Sequence, residues 1–191
     1  MPHIKIAQTD HPVLDVITKR WSPRAFTNEI VSEDKINRMF EAARWAASSG
    51  NEQPWEYYYA IKGTHGWEQL FNCLDEGNRL WVKHATILVA CITNTTFKRN
   101  GKENVTAEHD LGLANSHLFL QAVAEGFFMH GMAGFYPEKV KSTLNLNDNK
   151  KAVCMMAGGY PGNPEILEEK HQMTETKART RKPISEFVNK L

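Results

Sequence analysis

One run constrains the fold more than any other. Between Thr86 and Thr93 the chain reads Ile-Leu-Val-Ala-Cys-Ile with no polar interruption. A strand that is apolar at every position has no face to offer water, so it requires packing on both sides. Covering both faces of a sheet takes far more chain than the strand itself. At 191 residues the sequence can bury such a core as one domain spanning 1–191, with no disulfide or metal needed for stability.

The flanking patterns supply the covering layers. Val13, Leu14, Val16 and Ile17 suggest a helix over 9–19 capped by Asp10. Ser32 is placed to cap a second helix running to 47, with Glu33 and Asp34 in its first turn and Ile36, Met39, Phe40, Ala43 and Ala47 on its buried side. Strands are expected over 55–61, 86–93, 127–130 and 152–157, and shorter helices over 66–74, 78–84 and 137–144. The longest periodic segment, 106–125, has Leu111, Ala114, Leu118, Gln121 and Ala122 on one face, and Leu113, Leu120 and Ala124 widen that stripe. This reads as a central helix covered on most sides and stopped by Gly126. After Pro161 the chain turns polar, ending in a basic cluster over 179–182 and an amphipathic stretch over 184–191. The order implies an α+β fold, a mixed and mainly antiparallel sheet wrapped by helices.

Several functions are excluded by what is missing. Net charge is +1 with no long single-sign run, which argues against nucleic-acid and anionic-membrane partners. No apolar run approaches the roughly 20 residues of a membrane span, and Met1 to Asp10 lacks the apolar core of a signal peptide. Cys73, Cys91 and Cys154 form no Cys-x-x-Cys pair, and Cys91 and Cys154 read as small core residues. His109, His117 and His130 have no metal-site spacing, so no metal is expected. Rossmann, P-loop, nucleophile-elbow and His-Glu-x-x-His motifs are absent. A cytoplasmic protein with a small-molecule partner fits these exclusions.

Three polar segments remain that suit a ligand. In Arg20-Trp21-Ser22-Pro23-Arg24, two guanidinium forks and a hydroxyl match an oxyanion, although a solvated basic turn has the same spacing. Ser48-Ser49-Gly50-Asn51-Glu52-Gln53-Pro54 gathers hydroxyls and amides just before an aromatic strand, where they could read a planar heterocycle or simply form a turn. Arg179-Thr180-Arg181-Lys182 is a second basic cluster. None decides a function alone.

In order along the chain, these segments resemble the nitroreductase family of flavoproteins. The family's Arg-Arg-Ser-x-Arg-x-Phe is met by Arg20 to Phe26, and its Pro-Ser-x-x-Asn-x-Gln-Pro-Trp turn by Ala47 to Trp55. Asn78 to Trp81, with Ala85, matches its Asn-x-x-Trp element and strand entry. Asp110, with Gly112 and Ala114, opens the long helix, and Gly131 to Pro137 forms the turn after it. Gly159-Tyr160-Pro161 and Arg181-Lys182-Pro183 close the series. Trp21 replaces a second arginine, Ala47 a proline, and Ala133 a glutamate found in some members; the oxidising substrate is not specified by the sequence.

The resemblance implies a nitroreductase-like fold, an intertwined two-fold homodimer with FMN at its interface, and NADH or NADPH as electron donor. Arg20, Ser22 and Arg181 would hold the phosphate and ribityl chain, with Trp21 contributing its backbone. Arg24 would face the pyrimidine end of the ring and Asn78 its edge. Ser48, Ser49 and Asn51 would reach the cofactor from the second subunit, and Ala133 and Gly134 would offer backbone N–H groups near N5. No catalytic side chain is implied, since the flavin performs the redox chemistry. Nitroaromatics or quinones would be reduced by a ping-pong mechanism. A dehalogenase, an azoline oxidase, a flavin-cleaving enzyme or a non-catalytic flavin binder are the other readings of the same scaffold.

Overall fold

A computed structural model describes residues 3–191; Met1 and Pro2, part of the segment read above for a signal peptide, lie outside the described residues. The strands are β1 (Trp55–Ile61), β2 (Ile87–Asn94), β3 (Phe128–Met132) and β4 (Lys150–Gly159). They form a four-stranded sheet in the order β1-β2-β4-β3, and all three pairings are antiparallel. The α+β architecture expected from the sequence is present.

The apolar run lies centrally in this sheet, as β2. Its side chains alternate between two cores because successive strand residues point to opposite faces. Leu88, Ala90 and Ile92 join one core with Trp67 and Leu70 of α3 (His65–Asn72), Trp81 and Val82 of α4 (Glu76–Val82), and Val140 of α6 (Pro137–Thr143). Ile87, Val89 and Cys91 join the other with Ile36, Met39 and Ala43 of α2 (Glu33–Arg44) and Leu111, Ala114 and Leu118 of α5 (Ala107–Ala124). Cys91 is fully buried opposite Cys154 on β4, as expected of a core residue.

Five expectations need correction. The first helix, α1 (Asp15–Lys19), is one short turn. Pro12 disfavours helical geometry in the residue before it, so Asp10 cannot serve as its cap, and Val13, Leu14 and Ile17 are exposed. In α2, Ala46 is buried and Ala47 exposed, because the helix ends at Arg44 and the register slips beyond it. The stripe on α5 is narrower than its sequence suggests: Leu113, Leu120 and Gln121 are half-buried and Ala124 is exposed. β4 extends beyond 152–157 at both ends. The polar region after Pro161 contains α7 (Glu169–Glu175), whereas 184–191 holds only a single 3-10 turn. Gly126 follows α5 with φ +84°, the left-handed geometry that ends a helix.

Leu111 is inaccessible beneath the sheet. Leu111→Ala should therefore destabilise the protein by about 2–5 kcal/mol, read from the urea midpoint. A loss below about 1 kcal/mol would contradict this packing.

Candidate active site

The Arg20–Arg24 loop is fastened to three separate elements. On the C-terminal side, Glu175 of α7, only 2% exposed, accepts the Arg24 N–H at 3.0 Å. Arg179 donates to the carbonyls of Thr18 and Arg20. On the sheet side, His130 of β3 bonds the Pro23 carbonyl at 2.9 Å. From the N-terminus, buried Lys5 donates to the carbonyls of Thr174 and Lys177 at 2.8 and 2.6 Å and lies 5.1 Å from the Trp21 ring. Past the loop, Phe26 bridges Pro161, continuing the hold toward the end of β4.

This arrangement encloses a cavity of about 200 Å³ whose wall includes Lys5, Arg20, Ser22, Arg24, Arg179 and Arg181. Five cations face one carboxylate, Glu175. Burial lowers the proton affinity of Arg20, and the Arg181 charge adds to that effect. Burial also lowers Lys5 and Arg179, and it raises the Glu175 carboxyl. Arg20 Nη1 lies 3.4 Å from Ser22 Oγ. Uncompensated guanidinium groups beside a hydroxyl suit a phosphate, through bidentate charge-assisted hydrogen bonds.

A second cluster also borders Arg24, whose guanidinium sits 5.7 Å from the Trp81 ring centre. Trp81 Nε1 donates to Asn78 Oδ1 at 3.0 Å, and Asn78 Nδ2 donates to the Gly134 carbonyl at 2.8 Å. The Asp75 N–H reaches the same carbonyl at 3.2 Å. Asn78 keeps one amide hydrogen and one lone pair for another partner. A Cβ on Gly134 would collide with the Asp75 carboxylate and stand 2.6 Å from Asn78 Nδ2, so a side chain there would force Asp75 and Asn78 to move. Among the described residues, neither the Ala133 nor the Gly134 N–H is given to a protein acceptor.

The expected residues thus fall into groups. Arg20, Trp21, Ser22, Arg24 and Arg181 share the cationic cavity. Asn78 and Gly134 touch, with Ala133 adjoining. Ser48, Ser49 and Asn51 stand apart, beyond the end of α2. There Ser48 Oγ accepts the Gln53 N–H at 3.0 Å, and the buried Asp110 carboxylate accepts the Ser49 N–H at 3.0 Å. Asn51 lines a different cavity, with Trp55, Lys98 and Arg99. Lys5, Glu175 and His130 were not expected to support the site. Glu175 resembles its acidic neighbours in sequence, and only the fold of α7 singles it out.

His130 packs against Trp81, with ring centres 4.6 Å apart. Burial, aided by the Arg24 charge, holds its pKa down at about 4. The imidazole is neutral at pH 7. The depressed pKa means that the unfolded chain binds the extra proton first. The associated stability, roughly 3 kcal/mol, is therefore present above pH 6.5 and lost as pH falls toward 4. His130→Gln should flatten the decline in urea stability between pH 6.5 and 4; an unchanged slope would assign that decline elsewhere.

Comparison with known proteins adds to this geometry. The sequence profile described as the nitroreductase family matches residues 17–72, which include the Arg20–Arg24 loop and the Ser48–Trp55 turn. A Streptomyces coelicolor protein named as an NADH dehydrogenase/NAD(P)H nitroreductase is 23% identical over 165 residues, 75% of this chain and 80% of its own length. A solved structure described as an oxidoreductase containing FMN superposes with a TM-score of 0.92 at 29% identity, covering 99% of this chain and 96% of that one. A Desulfovibrio desulfuricans structure described as a nitroreductase in complex with FMN superposes with a TM-score of 0.72 at 21% identity, covering 96% of this chain and 98% of that one. That likeness extends the agreement in fold.

Proposed function

We infer that the chain is a member of the nitroreductase family, an FMN-dependent oxidoreductase passing electrons from NADH or NADPH to electron-poor small molecules such as nitroaromatics or quinones; the profile match over residues 17–72 and the likeness to an FMN-containing oxidoreductase support this reading. The observation that carries this reading is that Arg24 borders both the cationic cavity around Arg20 and the Trp81–Asn78–Gly134 cluster. The first suits a phosphate. The second is a cradle in which a side chain at Gly134 would displace Asp75 and Asn78. Together they fit the two ends of FMN.

Bound FMN would supply the hydride-accepting and electron-donating centre. Arg20, Ser22 and Arg181 would hold its phosphate and ribityl chain, and Trp21 would contribute backbone. Arg24 would place a cation at the pyrimidine end, where negative charge is stabilised. Asn78 would meet the ring edge, and the Ala133 and Gly134 N–H groups, which no protein acceptor among the described residues takes, would be available to N5. Use of one site in turn by donor and acceptor would give ping-pong kinetics and would need no side-chain nucleophile.

In this reading 1–191 is one FMN-binding domain working as a cytoplasmic homodimer, with neither nucleic acid nor membrane as partner. The separation of Ser48, Ser49 and Asn51 from the cationic cavity supports a second protomer bringing them to the cofactor. So do the incompletely covered Leu113 and Leu120 on α5. No helix among the described residues is long and apolar enough to cross a membrane.

FMN titration followed by flavin fluorescence tests the assignment. Arg20→Ala should weaken binding by roughly 2–4 kcal/mol through loss of a charge-assisted phosphate contact. In the wild type, initial rates at several acceptor concentrations should give parallel double-reciprocal lines. Equal FMN affinity in wild type and variant, or intersecting lines, would count against it.

A further inference from the structure

The cavity beside Asn51 has walls from two loops. One is the turn containing Asn51, Glu52 and Gln53, and the other presents Lys98 and Arg99 between β2 and α5. It is open and holds about 640 Å³. Its backbone geometry is specialised: Gly50, Asn51 and Gln53 all have φ between +51° and +59°. Asparagine tolerates the left-handed region better than most side chains, whereas glutamine there is uncommon.

The basic loop is held in place. Thr96 bridges Glu103, the Phe97 N–H bonds the Lys102 carbonyl at 2.8 Å, and the Gly101 N–H bonds the Phe97 carbonyl at 2.8 Å. Glu52 Oε1 accepts the Lys98 N–H at 2.7 Å, joining the loops and engaging the cavity wall's carboxylate. The Arg99 guanidinium packs 4.7 Å from the Phe97 ring centre, and its Nη1 lies 3.2 Å from where a Cβ on Gly50 would stand. Lys98 and Arg99 are exposed, and among the described residues neither forms an ion pair. An arginine stacked on an aromatic ring beside a free lysine suits a phosphate dianion, which the guanidinium fork can grip and the ammonium can neutralise.

We propose that Lys98 and Arg99 form a binding site for the 2′-phosphate of the adenosine ribose in NADPH, making NADPH the preferred electron donor. The inference rests on the oxidoreductase reading, which places Asn51 against the cofactor and so sets this cavity beside the donor's approach. The dianion distinguishes NADPH from NADH, which has a hydroxyl at that position. Two cations on a fixed loop therefore discriminate between them without touching the reacting nicotinamide. Discrimination of this electrostatic kind weakens with added salt.

The FMN-loaded protein is titrated calorimetrically with 2′,5′-ADP and with 5′-AMP, in parallel with donor kinetics. The wild type should bind 2′,5′-ADP about tenfold or more tightly than 5′-AMP. The double variant Lys98→Ala, Arg99→Ala should bring the two affinities together by weakening only 2′,5′-ADP. It should also raise the half-saturating NADPH concentration about tenfold, leaving the maximal rate of flavin reduction and the response to NADH unchanged. Equal affinities in the wild type, or a preference that survives the double variant, overturns the site. Failure of both donors to reduce bound flavin would instead count against the oxidoreductase reading, while the titration still decides the phosphate site.

Discussion

The structure depends on the desolvation of β2. A strand buried on both faces forces the chain to supply two layers, and each must end at the sheet's margins. α2 and α5 form one layer, while α3, α4 and α6 build the other. The loops between these elements therefore gather at the sheet's periphery, where backbone polar groups remain available. Both halves of the proposed cofactor site arise there: the Asn78–Gly134 contact joins α4 to the turn after β3, and the Arg20–Arg24 loop is pinned to β3 through His130.

A cationic loop does not hold its own shape, because its charges repel. Here the repulsion is offset by contacts from regions remote in sequence. The Glu175 carboxylate, the one acid among the described residues of the cavity wall, accepts the Arg24 backbone N–H, while Arg179 donates to backbone carbonyls. Lys5 ties the N-terminus to α7 in the same way. The loop thus stays open to an anion while its main chain is fixed, the preorganisation that electrostatic binding requires.

Most of this was legible where periodicity and burial agree. β1, β2, α5 and the family motifs could be read because unbroken apolar runs and helical stripes state their burial directly. The first helix misled because Val13, Leu14 and Ile17 carry a helical stripe that Pro12 separates from its expected cap Asp10 and that no core covers. α7 was missed because its residues are almost all polar; its one buried member, Glu175, is chosen by tertiary contacts. The supporting roles of Lys5 and Glu175 join residues about 170 positions apart through backbone hydrogen bonds and opposite charge. Local pattern carries no trace of such pairings.

The central claim is that this scaffold binds a flavin and cycles it with a nicotinamide donor. The absorbance spectrum of the FMN-reconstituted protein, recorded anaerobically before and after adding NADPH and then NADH, addresses it directly. The account predicts bound-flavin bands that bleach on donor addition and return with a quinone. Bands that persist with both donors would contradict the reductase assignment, and no bound flavin after reconstitution would contradict the site itself.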